Sequence, residues 1–300
     1  MKNKKIIVTG SSGFIGFHVS KLLLENNFIL MGIDNHNNYY DPKLKIKRCN
    51  LLKKYKNFKF IKLDIKKKNE TEKVFKRFNA DIIIHLAAQA GVRYSFINPK
   101  KYIDSNITGF SNIFEIMRKI SLNKIIYASS SSVYGDCKTF PFHENLELNP
   151  LNFYGQTKLM NENISKVYEK NFNIKSIGLR FFTVYGPYGR PDMFIPKIIK
   201  RIKKNKPVEL YNYGNHFRDF TYVEDVGKII LKIINKFNYN SNLRILNICR
   251  GKEINIKRVI NIIEKKLNKK IKVINKPFQR GDMKKTYGDN SLISKNYKLK

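Results

Sequence analysis

The stretch Lys5-Ile6-Ile7-Val8-Thr9-Gly10-Ser11-Ser12-Gly13-Phe14-Ile15-Gly16 decides the fold. The β-branched run over 4–9 reads as a short strand. Residues 14–25 place Phe14, Ile15, Val19, Leu22 and Leu23 at helical spacing. Between them, glycines three apart let the main chain approach a pyrophosphate, and the helix amino terminus favours its negative charge. The spacing is Gly-x-x-Gly-x-x-Gly, and an ordinary tight turn carries the same residues. The second strand raises the signal. The apolar run Ile29 to Ile33 ends in Asp34, 18 residues after Gly16. A carboxylate there can accept from both hydroxyls of an adenosine ribose and would repel a 2′-phosphate, which favours NAD over NADP.

Outward from this unit the pattern repeats. Phe58 to Leu63, Ile82 to Leu86, Lys124 to Ala128 and 174–180 read as strands. Helical stretches lie near 70–78, 101–119 and 154–171. Strands apolar throughout, alternating with helices, mean a parallel sheet covered on both faces. The expected class is α/β, a doubly wound parallel sheet over 1–180. Beyond about 181, Pro187, Pro191, Pro196 and Pro207 punctuate shorter elements, with helices near 224–236 and 255–267. Residues 181–300 therefore read as a smaller α/β lobe over the carboxyl ends of the sheet, with segments such as 223–250 able to return to the first domain.

Composition narrows the classes. The 300 residues are 42% apolar, too apolar for a disordered chain. No apolar run approaches the roughly 20 residues of a membrane helix. The apolar stretch at the start is too short for a signal-peptide core, so a cytoplasmic protein is expected. Cys49, Cys137 and Cys249 are an odd number in no metal-ligand spacing, and neither a disulfide framework nor a metal site is expected. Net charge is +36. The excess is mostly lysine, scattered along the whole length beside Asn and Ile, as an AT-rich genome would produce, so no specific nucleic-acid partner is inferred.

A second motif is Tyr154-Gly155-Gln156-Thr157-Lys158. Tyrosine and lysine four apart share one helix face. A neighbouring ammonium favours the phenolate, which makes the phenol a usable base at neutral pH. Upstream, Ala128-Ser129-Ser130-Ser131-Ser132-Val133-Tyr134-Gly135 ends a strand in hydroxyls able to hold a substrate oxygen beside that phenol.

In that order and at those distances, these motifs resemble the extended short-chain dehydrogenases/reductases, a Rossmann-type family, and within it the nucleotide-sugar epimerase and dehydratase group. His85 to Ser95, Arg180 to Pro187 and Gly189-Arg190-Pro191-Asp192-Met193 are similar to segments of UDP-glucuronate 4-epimerases. The resemblance implies Tyr154 as base, Lys158 as its partner on the nicotinamide ribose, and Ser130 as the catalytic hydroxyl. It assigns NAD binding to Gly10, Gly13, Phe14, Ile15, Gly16, Asp34 and Asn35. Asp64 and Ile65 fall on the adenine side, Leu86, Ala87 and Ala88 at the strand end under the cofactor, and Asn106 is a structural asparagine nearby.

Substrate binding falls to Ser131, Ser132 and Thr183, with Arg218 and Arg280 clamping the UDP pyrophosphate, for which a forked guanidinium is suited. Arg190, and more weakly Arg93, would pair with a uronic carboxylate. Related decarboxylases carry Glu where Ser132 stands, and 4,6-dehydratases carry Asp-Glu at Ser131 and Ser132. Hydroxyls at both positions imply 4-epimerisation of UDP-glucuronate to UDP-galacturonate through a 4-keto intermediate. A UDP-glucose or UDP-N-acetylglucosamine 4-epimerase is the alternative, and a decarboxylase or a non-catalytic NAD-binding protein fits less well. The resemblance further implies a homodimer through helices near 101–119 and 154–171. The family usually continues past Tyr297-Lys298-Leu299-Lys300 into a further helix, so a missing carboxyl-terminal helix is expected.

Overall fold

The computed structural model describes residues 4–237, 244–279 and 281–298. In chain order the strands are β1 (Lys5–Thr9), β2 (Ile29–Asp34), β3 (Phe58–Lys62), β4 (Ile82–His85), β5 (Lys124–Ser130), β6 (Lys175–Phe181), β7 (Thr183–Tyr185), β8 (Val208–Tyr211), β9 (Phe217–Tyr222), β10 (Ile245–Ile248), β11 (Glu253–Asn255), β12 (Val273–Lys276) and β13 (Lys285–Thr286). Seven of them form one sheet in the order β10-β6-β5-β4-β1-β2-β3, with every pairing parallel. The chain winds away from β1 in one direction and returns past it to β4. That reversal opens a crevice at the carboxyl ends of β1 and β4.

The alternation of side chains along each strand builds two cores. Ile6 and Val8 join Phe17, Leu23, Ile84, Ile126 and Ile230 on one face. Ile7 points the other way, to Ile33, Ile83, Phe110, Phe114 and Met117. The first face is covered by helices Phe14–Glu25 and Val223–Asn235, the second by Lys68–Phe78 and Gly109–Lys119. Each buried Ile, Leu or Phe contributes roughly 1.5–3 kcal/mol, which makes these faces the main source of stability.

Helix Val223–Asn235 packs on the first core, and β10 pairs with β6. The last helix described, Ser291–Tyr297, also buries Ile293 and Tyr297 there. The remaining elements form the smaller lobe. Its four-stranded sheet (β7, β9, β11, β13) and the parallel pair β8–β12 share a core of Ile198, Ile202, Leu210, Phe220, Ile256 and Ile260. Helix Pro42–Leu52 is an element that hydrophobic spacing does not announce. It starts because Asp41 accepts from Lys43 N and Pro42 sits in the first turn.

Candidate active site

The crevice is bounded on one side by the glycine turn. Gly10 has φ +73°, and a Cβ there would lie 2.7 Å from Ala87 N, so β1 and β4 converge on it. A Cβ at Gly16 would fall 2.0 Å from Gly10 O, which leaves that helical position to glycine. The helix Phe14–Glu25 begins without a side-chain cap or an acidic residue in its first turn. Its leading N–H groups are therefore available to an anion. Ser11 Oγ is buried with no partner.

Asp34, 8% exposed, ends β2 in the cleft wall. Its carboxylate accepts from Ser12 N at 3.2 Å and His36 N at 2.8 Å, fixing its direction while leaving acceptor capacity. Asn35 Nδ2 donates to Asp64 Oδ2 at 3.1 Å. Asp64, Ile65, Leu86, Ala87 and Ala88 line the same cleft with Gly10, Gly13, Phe14, Ile15 and Gly16. This glycine-floored cradle with a ribose-side carboxylate fits a dinucleotide.

Asn106 does not line the cleft. It sits buried in a π-helical turn, Ile103–Thr108, with Oδ1 accepting from Gln89 N at 2.8 Å. Its Nδ2 donates to Gln89 O and Thr157 Oγ1, both at 3.0 Å. It ties the loop after β4 to the helix Phe153–Phe172.

That helix carries Tyr154 and Lys158, and Asn152 caps it by accepting from Gly155 N at 2.8 Å. Both side chains face the cleft beside Ser130 at the end of β5. Lys158 is 2% exposed and donates to Ala128 O at 2.7 Å. Burial pulls its pKa down to about 7, against the upward pull of Glu162 one turn further on. Burial raises the Tyr154 phenol, while the Ser130 side chain and the Arg190 charge act to lower it. The sequence pattern alone put Lys158 in that lowering role. In the fold one of the three Lys158 N–H donors goes to Ala128 O, and Ser130 and Arg190 add their own pull on the phenol.

Beneath the site, Glu162 forks onto Arg180 (Nε–Oε1 2.9 Å, Nη2–Oε2 2.8 Å) and accepts from Ser129 Oγ at 2.5 Å. No group of residues suited to hold a metal ion occurs among the described residues.

The substrate-side residues divide. Arg190 lines the cleft with Tyr154, but its Nε and Nη2 already form a fork onto Asp192. Arg93 is not brought to Arg190. Its short helix, Val92–Ile97, aims it at the smaller lobe, where its guanidinium lies 4.5 Å from the Tyr211 ring centre and 3.7 Å from Asp282. Arg218 donates to the same Asp282 at 2.8 Å, so these two arginines share one carboxylate. Arg280 lies outside the described residues. Ser131 and Ser132 form a tight turn in which Ser132 N donates to Ser130 Oγ at 3.2 Å; they follow Ser130 directly but are not among the residues that line the cleft. Thr183 lines a small pocket that shares Phe14, Val184 and Met193 with the cleft.

Sequence reasoning missed several lining residues: Asn37, Tyr39, Tyr40, Lys45, Gln89 and Met193. It also missed Arg48, fully buried, which donates to Ser12 O at 3.0 Å and Tyr40 Oη at 2.7 Å and so braces the glycine turn. The signal available was the aromatic pair Tyr39-Tyr40 directly after the Asp34 strand.

A doubly wound sheet, a glycine cradle at its switch point and a Ser–Tyr–Lys centre across the cleft define a dinucleotide-binding α/β protein built for proton transfer to and from a hydroxyl. Residues 6–249 match the NAD dependent epimerase/dehydratase family, and the chain belongs to that family. It is 50% identical over its whole length to an uncharacterized protein of Methanocaldococcus jannaschii, 91% of which is covered. It is 40% identical to a UDP-glucuronate 4-epimerase of Thermodesulfobacterium geofontis, over 96% of this chain and 88% of that one. A crystal structure of UDP-glucuronic acid 4-epimerase from Bacillus cereus in complex with UDP-glucuronic acid and NAD superposes with a TM-score of 0.92. That match is at 34% identity and covers 99% of this chain and 93% of that one.

Proposed function

We propose that this protein interconverts UDP-glucuronate and UDP-galacturonate by 4-epimerisation with NAD as its recycled cofactor. The observation that carries the reading is the meeting of Ser130, Tyr154, Lys158 and Arg190 in one cleft that contains the glycine cradle. The hydroxyls of Ser131 and Ser132, with no carboxylate at either position, support epimerisation over decarboxylation or dehydration. Both alternatives need a further acid or base at those positions.

NAD would supply the hydride acceptor and donor for sugar C4. Gly10, Gly13, Gly16, Asp34, Asn35, Asp64 and Lys158 are the residues that would hold it. Tyr154 takes the proton of the 4-hydroxyl and later gives it back, while the Ser130 hydroxyl donates to the sugar oxygen as charge develops there. Lys158 contributes positive charge beneath the pair. Arg218, with Arg280, would anchor the UDP pyrophosphate, and Arg93, on the same carboxylate as Arg218, supports that end of the substrate. A sugar free to turn needs a firmly held nucleotide and a loosely held ring, which suits arginines at one end and small hydroxyls at the other.

Residues 1–180 with 223–250 would carry the cofactor, and the remainder the UDP-sugar. A homodimer through helices near 101–119 and 154–171 is supported by exposed Ile103, Met160 and Val167 on those faces. Among the described residues no helix is long and apolar enough to cross a membrane, and we place the protein in the cytoplasm.

Tyr154→Phe tests the centre. Turnover should fall by about 10²–10⁴-fold, the value of a positioned base, with NAD and UDP-sugar binding kept. Full activity in that variant would remove the mechanism.

A further inference from the structure

We infer that Asp192 is an internal stand-in for the sugar carboxylate: it holds Arg190 by the two-point fork a uronate would use, and the fork passes from Asp192 to the substrate on binding. The inference rests on the function proposed above and makes Asp192 a specificity-determining residue of that site.

Arg190 lines the cleft with Ser130 and Tyr154, whereas Asp192 is not among the lining residues. The fork runs from Nε to Oδ1 at 3.0 Å and from Nη2 to Oδ2 at 2.6 Å. A planar guanidinium has one such edge to offer a carboxylate at these atoms, so a uronate that binds it there replaces Asp192. The openness of the pair permits that exchange: the side chains are 20% and 35% exposed, so water can take up the freed Asp192. The Arg180–Glu162 fork, at 3% and 1%, has no such outlet and is built to stay closed.

Tyr39 supplies the second element. Its hydroxyl donates to Asp192 Oδ2 at 3.1 Å, giving that carboxylate a partner that does not depend on Arg190. Its ring lies 5.7 Å from the Arg190 guanidinium. Tyr39 can enter because Gly91, at φ +100°, has no side chain; a Cβ there would sit 2.2 Å from the hydroxyl.

The exchange has an electrical consequence. The titratable groups around Tyr154 and Arg190 are Lys158, Tyr102, Tyr39, Tyr40, Lys45 and Asp192; Asp34 acts on Tyr40 and Lys45, Glu162 acts on Lys158, and Asp192 is the carboxylate directly on Arg190. Arg190 lowers the Tyr154 phenol, and a carboxylate forked onto that guanidinium would offset the effect. With a uronate bound, the substrate's own carboxylate takes over the offset, so the phenol keeps its setting.

The test is the pH dependence of UDP-glucuronate turnover by the NAD-loaded enzyme and its Asp192→Asn variant. KM should fall by up to about fivefold, the value of a partly exposed ion pair. The acid limb of kcat/KM, which reports the free enzyme, should move to lower pH as Arg190 stands unopposed, while the limb of kcat stays in place. Asp192→Glu should restore both. In an Arg190→Ala background the Asn substitution should change neither. An unchanged KM, or both limbs moving together, would overturn the exchange. So would a KM increase that persists without Arg190, which marks Asp192 as a loop anchor. If Asp192→Asn does not fold, Tyr39→Phe carries the test by loosening Asp192, with a smaller change of the same sign expected and no change or the opposite sign refuting it. A wild-type enzyme that leaves UDP-uronates untouched would instead sink the proposed function.

Discussion

Replacing Glu162 by glutamine removes the anion from the most buried ion pair of the described residues, at 1% exposure beside Arg180 at 3%. The guanidinium keeps neutral partners, since its Nη1 donates to Tyr134 Oη at 2.9 Å and Glu144 O at 3.1 Å. It loses its counter-charge. The new amide has one oxygen for the two nitrogens and the Ser129 hydroxyl that Glu162 now serves, and its NH2 faces a donor. Breaking one side of a buried pair costs about 3–5 kcal/mol. The retained partners and the matching shape put this case at the low end, near 3 kcal/mol.

At about 2–4 °C per kcal/mol, the melting temperature should drop by roughly 6–12 °C. The same change removes the upward pull on Lys158, whose pKa then falls further below about 7. Scanning calorimetry of both proteins without NAD reads the first effect. A melting temperature within about 2 °C of wild type would refute the reasoning, because the pair would then contribute nothing beyond its own desolvation cost.

Two further outcomes are expected. Lys158 ionises near 7 in the fold against an ordinary 10.5, so between those values the unfolded chain binds a proton that the folded one lacks. Stability should therefore rise with pH across that window in the absence of NAD, and Lys158→Met should flatten the rise; parallel curves in urea titrations would contradict the assignment. Gly16→Ala must displace Gly10 O, 2.0 Å from the new methyl carbon, so NAD affinity should weaken by at least about tenfold by calorimetric titration, and unchanged affinity would contradict the cradle.

The large sheet was legible because its strands are continuous apolar runs buried on both faces, such as Ile6 to Val8 and Ile82 to Ile84, separated by helices with an apolar stripe. The glycine turn and Asp34 were legible because they follow one another in sequence. Helix Pro42–Leu52 was not, since four of its residues are lysine or arginine and its apolar positions form no stripe; a cap starts it and a buried arginine holds it. The bond between Tyr39 and Asp192 spans 153 positions, and nothing local marks either residue for the other. For the same reason spacing placed Arg190 in the cleft without showing that it is already paired. Arg93 followed the direction of a short helix that no pattern specified. Contacts set by the chain's own periodicity can be read from the sequence; contacts set by where two loops meet need the fold.

The central claim is tested most directly by incubating the purified protein and NAD with UDP-glucuronate and resolving the products by NMR of the anomeric and C4 protons. The account predicts a mixture of UDP-glucuronate and UDP-galacturonate. A UDP-pentose would contradict it, by showing that decarboxylation proceeds with hydroxyls at Ser131 and Ser132, and so would an unchanged UDP-glucuronate beside an epimerised neutral UDP-sugar.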